Sequence, residues 1–349
     1  MSVVQGSSPL AVRSFAAPVR TRPAGLGAGA PLSRIDGPAD ALALVAVELR
    51  DCETALAELV MSDVAEVPAI AGYLLDAGGK RLRPALTALA ARTVDYTEPV
   101  ARLMCVGELL HLGSLLHDDV VDDGEVRRGR TAAHRIYGAP ATVLTGDFCL
   151  ARSVLLAAEE GGHAAVSALG ATVTEMAEGE MLQLRYAGRL DTTVEQYMDV
   201  VDRKSAALIA WCVSAPALAA GDHEAAEALR RFGRGVGRAF QIADDVLDYA
   251  EGTGKATGAD LRERKVTLPL VYAMERISGL RDELTAGAPV PERVRELVQQ
   301  VRDSGALDQA QEAAHGYAAE ALAALDTLPP GEGRDALRAL GLYLADRTR

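Results

Sequence analysis

Residues 118–128 read DDVVDDGEVRR, and they close an apolar run, VGELLHLGSLLH at 106–117, whose spacing is helical. In a helix each residue turns about 100° and rises about 1.5 Å. Asp118 and Asp122 therefore stand one turn apart on one face, with Asp119 beside them. Bare carboxylates at about 6 Å repel by roughly 3 kcal/mol per pair at an effective dielectric of about 20. A cation must offset that, and clustered oxygen ligands favour a hard divalent ion such as magnesium or calcium. Acidic runs are more often solvated helix ends, so the metal reading needs a second site. FQIADDVLDYAEGTGK, at 240–255, provides one: Asp244, Asp245 and Asp248 repeat the D-D-x-x-D spacing after another apolar helical run. Facing each other on adjacent helices, the two clusters would make a metal cradle for a highly charged anion, and a diphosphate is the natural candidate.

The rest of the chain is helical in pattern. It has 349 residues, is rich in alanine and leucine, and holds only 4% aromatics, a composition suited to close helix packing. The net charge of −13 argues against a nucleic-acid partner. Cys52, Cys105, Cys149 and Cys212 are far apart with no C-x-x-C pair, which predicts buried reduced thiols and a cytoplasmic setting. No uninterrupted apolar run reaches the roughly 18 residues of a membrane span. No strand pattern and no internal repeat stands out. Residues 1–35 contain no Asp or Glu and are rich in Ala, Gly, Pro, Ser and Arg, which predicts a disordered tail over 1–36, with an organelle transit peptide as the second reading. The helical domain is expected over 37–349.

Basic residues are concentrated against the acidic background. GGKRLRP puts Lys80, Arg81 and Arg83 at a helix start, where the helix dipole also favours anions, although Arg81 reads as a plain surface charge. Arg127 and Arg128 follow the first acidic cluster, and His111 lies two turns before Asp118 on roughly its face. Glu180 and Gln183 share a face in GEMLQL, and Lys204 and Ser205 stand at the edge of an apolar helix. Asp147 is read as a cap or as the partner of a nearby base. Gly233, Gly235 and Gly237 read as close helix packing, because no strand precedes them. EGTGKATGADLRERKVTL, 251–268, is Gly-rich and basic, and reads as a lid carrying Lys255 and Lys265.

These blocks resemble the trans-isoprenyl (polyprenyl) diphosphate synthases from about residue 45 onward. GGKRLRP, LLHDDVVDDGEVRRGR, YGAPATVLTGD, GEMLQ, RKSA, FQIADDVLD and GKATGADLRERKVTLPL occur in that family's order. The resemblance implies an all-α bundle around a deep central cavity, a homodimer, and three magnesium ions bridging the Asp clusters and an allylic diphosphate. Carried over, Asp118, Asp119, Asp122 and Asp244 ligate metal, with Asp245 and Asp248 as ligands or support. Arg127, Lys204, Gln241 and Lys255 hold the allylic diphosphate, with Ser205 and Lys265 beside them. Lys80, Arg83, His111 and Arg128 hold isopentenyl diphosphate. Arg264 stands where the family commonly has glycine, and Ser205 where threonine is common.

The implied reaction is head-to-tail chain elongation. Family members limited to short products carry bulky aromatics four and five residues before the first Asp; here those positions are Ser114 and Gly113, with Leu110 a turn further back. Small residues there predict a long product, around six to ten isoprene units (C30–C50) from a farnesyl or geranylgeranyl primer. A geranylgeranyl or farnesyl product is the rival within the family. A class I terpene cyclase would carry N-D-x-x-S-x-x-x-E in place of the second D-D-x-x-D. A His-Asp phosphohydrolase would need further spaced histidines, and a non-catalytic partner subunit would have lost Asp or basic ligands.

Overall fold

The computed structural model describes residues 35–250 and 257–346, so the expected tail up to residue 34 and Lys255 lie outside the described residues. The helices run α1 Pro38–Leu44, α2 Ala46–Leu59, α3 Glu66–Leu75, α4 Leu82–Thr93 and α5 Ala101–Val121. A hairpin of two very short strands follows, β1 Val126–Arg127 and β2 Arg130–Thr131, and then α6 Ala133–Tyr137. Next come α7 Ala139–Tyr186, α8 Val194–Val201, a π turn Asp202–Ala206, α9 Ala207–Ala220 and α10 His223–Leu247. The chain closes with α11 Ala259–Glu263, α12 Leu268–Arg276, α13 Leu280–Ala286, α14 Pro291–Asp303, α15 Ala306–Leu325 and α16 Glu332–Ala345. The all-α expectation holds; the hairpin was not anticipated, because two residues per strand leave no period-2 signal.

The main core lies where α5, α7, α9 and α10 meet. α9 is buried almost all round, from Ala207 to Ala217, and Trp211 donates its indole N–H to the Ala165 carbonyl at 3.0 Å. Small residues set the spacing. A Cβ on Gly107 would lie 2.3 Å from Cys212 Sγ, one on Gly233 2.5 Å from Ala210 Cα, and one on Gly235 2.7 Å from Ala321 Cβ. The glycines of α10 are thus contact points with α9 and α15, as the sequence led us to expect. All four cysteines are free and buried. α7 is broken at Gly162, whose φ of 68° and ψ of −167° leave the helical region. Among the described residues α7 is also long and apolar enough to cross a membrane. One of its faces packs on α5 and α9, while Leu144, Leu155, Met181 and Leu184 stay exposed.

Candidate active site

The last turn of α5 delivers the first acidic cluster, and Asp122 caps the helix. Asp118 and Asp122 line a cleft of about 930 Å³ together with Arg127, Gln183, Lys204, Ser205, Gln241, Asp245 and Lys265. Asp119 does not line it. The rotation that puts Asp118 and Asp122 on one face turns Asp119 inward, where it is 1% exposed and accepts from Arg127 Nε at 2.5 Å. Asp119 thus holds Arg127 through one carboxylate oxygen, while its Oδ2 is sealed from solvent without a hydrogen-bond partner. The hairpin separates the two arginines. Its central residues, Arg128 and Gly129, have φ of 51° and 74°, the left-handed pair that a two-residue hairpin turn requires. Arg127 stays on the strand beside the cleft, while Arg128 donates to the carbonyls of Gly78 at 2.6 Å and Leu74 at 3.3 Å.

The opposite wall comes from α7, the π turn and α10. Lys204 is ion-paired with Glu180 and lies 3.7 Å from Asp118 Oδ2. Gln183 donates to Glu180 at 3.1 Å, and the two share one face of α7, as their spacing predicts. Asp245 is buried and accepts from Tyr197 Oη at 2.6 Å and Gln241 Nε2 at 3.0 Å, while Gln241 accepts from Ser205 Oγ at 2.8 Å. The serine at the usual threonine position therefore uses its hydroxyl. Asp248 accepts from the backbone N–H groups of Ala259 and Asp260 at 3.1 and 3.0 Å, which anchors the start of α11. Asp245 lines the cleft, whereas Asp248 and the half-buried Asp244 are not among its lining residues. Tyr197 and Asp260 were missed. Asp260 is buried, accepts from Thr267 Oγ1 at 2.9 Å, and has its carboxyl pushed well up by burial and by Asp245. Burial opposes the charge of Lys265, but Asp245, Asp260, Glu263 and Asp122 outweigh it and hold the ammonium protonated.

The third group is the basic wall at the start of α4. Lys80 is exposed. Arg81 is not a surface charge: it takes a left-handed φ of 46° and bridges Glu53 of α2 and Glu108 of α5, the latter at 2.9 Å. Arg83 is half-buried, and its Nε is sealed from solvent without a hydrogen-bond partner. Burial, with Arg83, Arg128, Arg127 and Arg81 around it, pushes His111 well below the usual imidazole range and keeps it neutral. An unpartnered donor and a neutral imidazole amid four guanidinium groups make a place that an anion would stabilise.

The chain-length residues divide. A Cβ on Gly113 would lie 2.9 Å from the Gly146 carbonyl and 3.3 Å from Cys149 Cβ, so this glycine serves the crossing of α5 with α7. Ser114 is half-buried and donates to the His111 carbonyl at 2.9 Å, and Leu110 is buried. Asp147 lies 3.2 Å from His117 Nε2, the base partner considered for it.

The donor set suits divalent cations that arrive with an anion. Burial, reinforced by Glu180 and Asp122 and opposed by Lys204 and Arg127, pushes Asp118 up to about 6, the mark of a crowded carboxylate. Among the described residues no three ligands converge into a ready-made cage. Magnesium binds through one or two carboxylates and substrate phosphates, and Asp118 and Asp122, both lining the cleft, fit that mode.

Comparison with known proteins identifies the arrangement. The polyprenyl synthetase family pattern matches residues 64–301. The all-trans-nonaprenyl-diphosphate synthase (geranyl-diphosphate specific) of Rhodobacter capsulatus is 37% identical over 324 residues, covering 90% of this chain and 99% of that protein. Heptaprenyl diphosphate synthase component 2 of Geobacillus stearothermophilus is 36% identical, covering 86% and 96%. The crystal structure of a polyprenyl synthase from Caulobacter crescentus, complexed with calcium and isoprenyl diphosphate, superposes with a TM-score of 0.84 at 37% identity, covering 90% of this chain and all of that one. With a family match over most of its length and relatives of this identity, the chain belongs to the polyprenyl synthetase family.

Proposed function

We propose that this chain is an all-trans polyprenyl diphosphate synthase that condenses isopentenyl diphosphate head-to-tail with an allylic diphosphate. One observation carries the reading: a single cleft brings Asp118 and Asp122 against Lys204, Arg127, Gln241 and Lys265. Carboxylates on their own would repel a diphosphate, and this cleft supplies the basic groups to hold one. Magnesium, three ions per site by family likeness, held by Asp118, Asp122 and Asp244, would neutralise charge on the leaving diphosphate. Lys204 and Arg127 meet the same charge from two sides, with Gln241 and Lys265 beside them, and the family likeness adds Lys255. Their favourable interaction grows as the allylic C–O bond breaks, which is where it lowers the barrier. Lys80, Arg83, His111 and Arg128 hold the diphosphate of isopentenyl diphosphate next to that centre. Its double bond attacks the allylic cation, and the proton then lost passes to the departing diphosphate, because the described cleft offers no better placed neutral base.

The family likeness and the absence of an aromatic at Ser114 support a product of about C30–C50. The primer is farnesyl or geranylgeranyl diphosphate, and the relative specific for geranyl diphosphate adds that primer to the test. Residues 37–349 form the catalytic unit. The exposed apolar residues of α7 support a homodimer: Leu144 and Leu155 lie about three turns apart on one face. The relative named as a component 2 supports a second reading, a subunit of a heteromeric synthase. Four free buried thiols support a cytoplasmic setting. Asp118→Ala and Asp244→Ala should each abolish turnover and leave the helical circular dichroism unchanged. Full activity in either variant would sink the proposal.

A further inference from the structure

The π turn Asp202–Ala206 carries Lys204 and Ser205, and it is gripped from both sides. Ala207 donates its N–H to the Asp202 carbonyl, five residues back, which fits one extra residue into the turn. α7 presses on it at Gly179, where a Cβ would lie 2.6 Å from Lys204 N. α10 presses on it at Gly237, where a Cβ would lie 2.6 Å from Ala206 Cα. Asp202 makes the polar contacts. Arg234 Nη1 donates to its carboxylate at 2.9 Å and to its main-chain carbonyl at 3.1 Å, and Arg238 Nε donates to the other carboxylate oxygen at 2.7 Å. Arg234 also pairs with Glu175 of α7, so one guanidinium ties α7, the π turn and α10 together.

We propose that Arg234 and Arg238 are positioning residues for the reaction: through Asp202 they hold the π turn open, and the open turn presents Lys204 and Ser205 to the cleft. Collapse to ordinary helical register would rotate one flank of the turn by about 100° relative to the other. Lys204 could not then meet both Glu180 and Asp118. The same arginines line a groove of about 620 Å³ between α10 and α15, with Arg230, Arg231 and Glu320. Glu227 pairs with Arg230, Glu175 and Asp202 with Arg234, and Asp202 with Arg238, which makes the groove the back of a clamp.

The inference rests on reading Lys204 as a ligand of the allylic diphosphate, and the experiment separates the two. KM is measured for each substrate in the full-length enzyme and in the K204Q, R234Q/R238Q and triple variants. The clamp variant should lower kcat/KM for the allylic substrate by about 10- to 100-fold, through its KM. The KM for isopentenyl diphosphate should not move, because Lys80, Arg83 and His111 belong to another wall. Adding K204Q to the clamp variant should cost much less than K204Q alone, as expected of residues acting as one unit. R234K, which cannot reach both acceptors of Asp202, should recover part of the loss. D202N keeps the size of the side chain but removes the charge and one of the two acceptor oxygens that the arginines grip, so it should move the same KM, and the inference stays testable if the double variant does not fold. An allylic KM that rises in K204Q but not in R234Q/R238Q or D202N overturns the clamp, as does an equal rise for both substrates. An unchanged allylic KM in K204Q overturns the assignment of Lys204 and the clamp with it.

Discussion

Gly113→Ala separates the two roles available to that position. If the glycine is small to let a growing tail pass, one methyl group shortens the product and leaves stability alone. The structure argues otherwise. The new Cβ would sit 2.9 Å from the Gly146 carbonyl oxygen and 3.3 Å from Cys149 Cβ. One of those neighbours is helix backbone, so α5 and α7 must part by several tenths of an ångström along their crossing. Overpacking of this kind costs about 1–3 kcal/mol. At about 2–4 °C per kcal/mol for a domain of this order of size, the middle of that range lowers Tm by roughly 4–8 °C. The assay pairs a thermal melt with chromatography of the product made from farnesyl diphosphate. The expected result is a lower Tm with unchanged product length. A wild-type Tm with a shorter product would refute the packing argument and restore Gly113 as a length determinant. Ser114→Phe is the companion variant: Ser114 lies one turn below Asp118 on the same face, and its substitution should shorten the product.

Other perturbations follow from the same contacts. Arg81→Met leaves Glu108, whose side chain is 7% exposed, as a buried unpaired charge and should cost about 3–5 kcal/mol in urea denaturation, with part recovered by adding Glu108→Gln; a loss below about 1 kcal/mol would return Arg81 to the surface. His111 is held neutral in the fold, whereas below about pH 6.5 the unfolded chain protonates it. Stability from this group is therefore present above that pH and lost as pH falls, by up to about 1.4 kcal/mol per unit, and His111→Gln should flatten that part of the pH–stability curve. Arg264 takes a φ of 53°, which accounts for the glycine common at this position. Arg264→Gly should raise stability by about 1 kcal/mol or less, the left-handed strain relieved against glycine's extra chain entropy, with activity retained.

Local spacing carried most of the site. The helical run into Asp118, the repeat at Asp244 and the face shared by Glu180 and Gln183 are all short-range features, and each appears where periodicity put it. Even the burial of Asp119 was implicit in the rotation that aligns Asp118 with Asp122. What sequence could not supply was tertiary. Arg81 finds Glu53 and Glu108, both more than 25 residues away, and nothing local marks it as different from Lys80 or Arg83. The left-handed turn at Arg128 and Gly129 sends two adjacent arginines to different partners. The π turn at Asp202–Ala206 is silent in the pattern, because four polar residues in a row, Asp202 to Ser205, leave no apolar spacing for an extra residue to shift. Gly113 shows the complementary case: a glycine looks the same in sequence whether it faces a cavity or a helix backbone.

The central claim is that this cleft elongates an allylic diphosphate by successive additions of isopentenyl diphosphate. Purified enzyme with magnesium, isopentenyl diphosphate and, in turn, geranyl, farnesyl or geranylgeranyl diphosphate, followed by chromatography of the products, tests it most directly. All-trans products of about C30–C50 are expected. No elongation from any primer would contradict the reaction, and arrest at or below C20 would contradict the long-chain assignment.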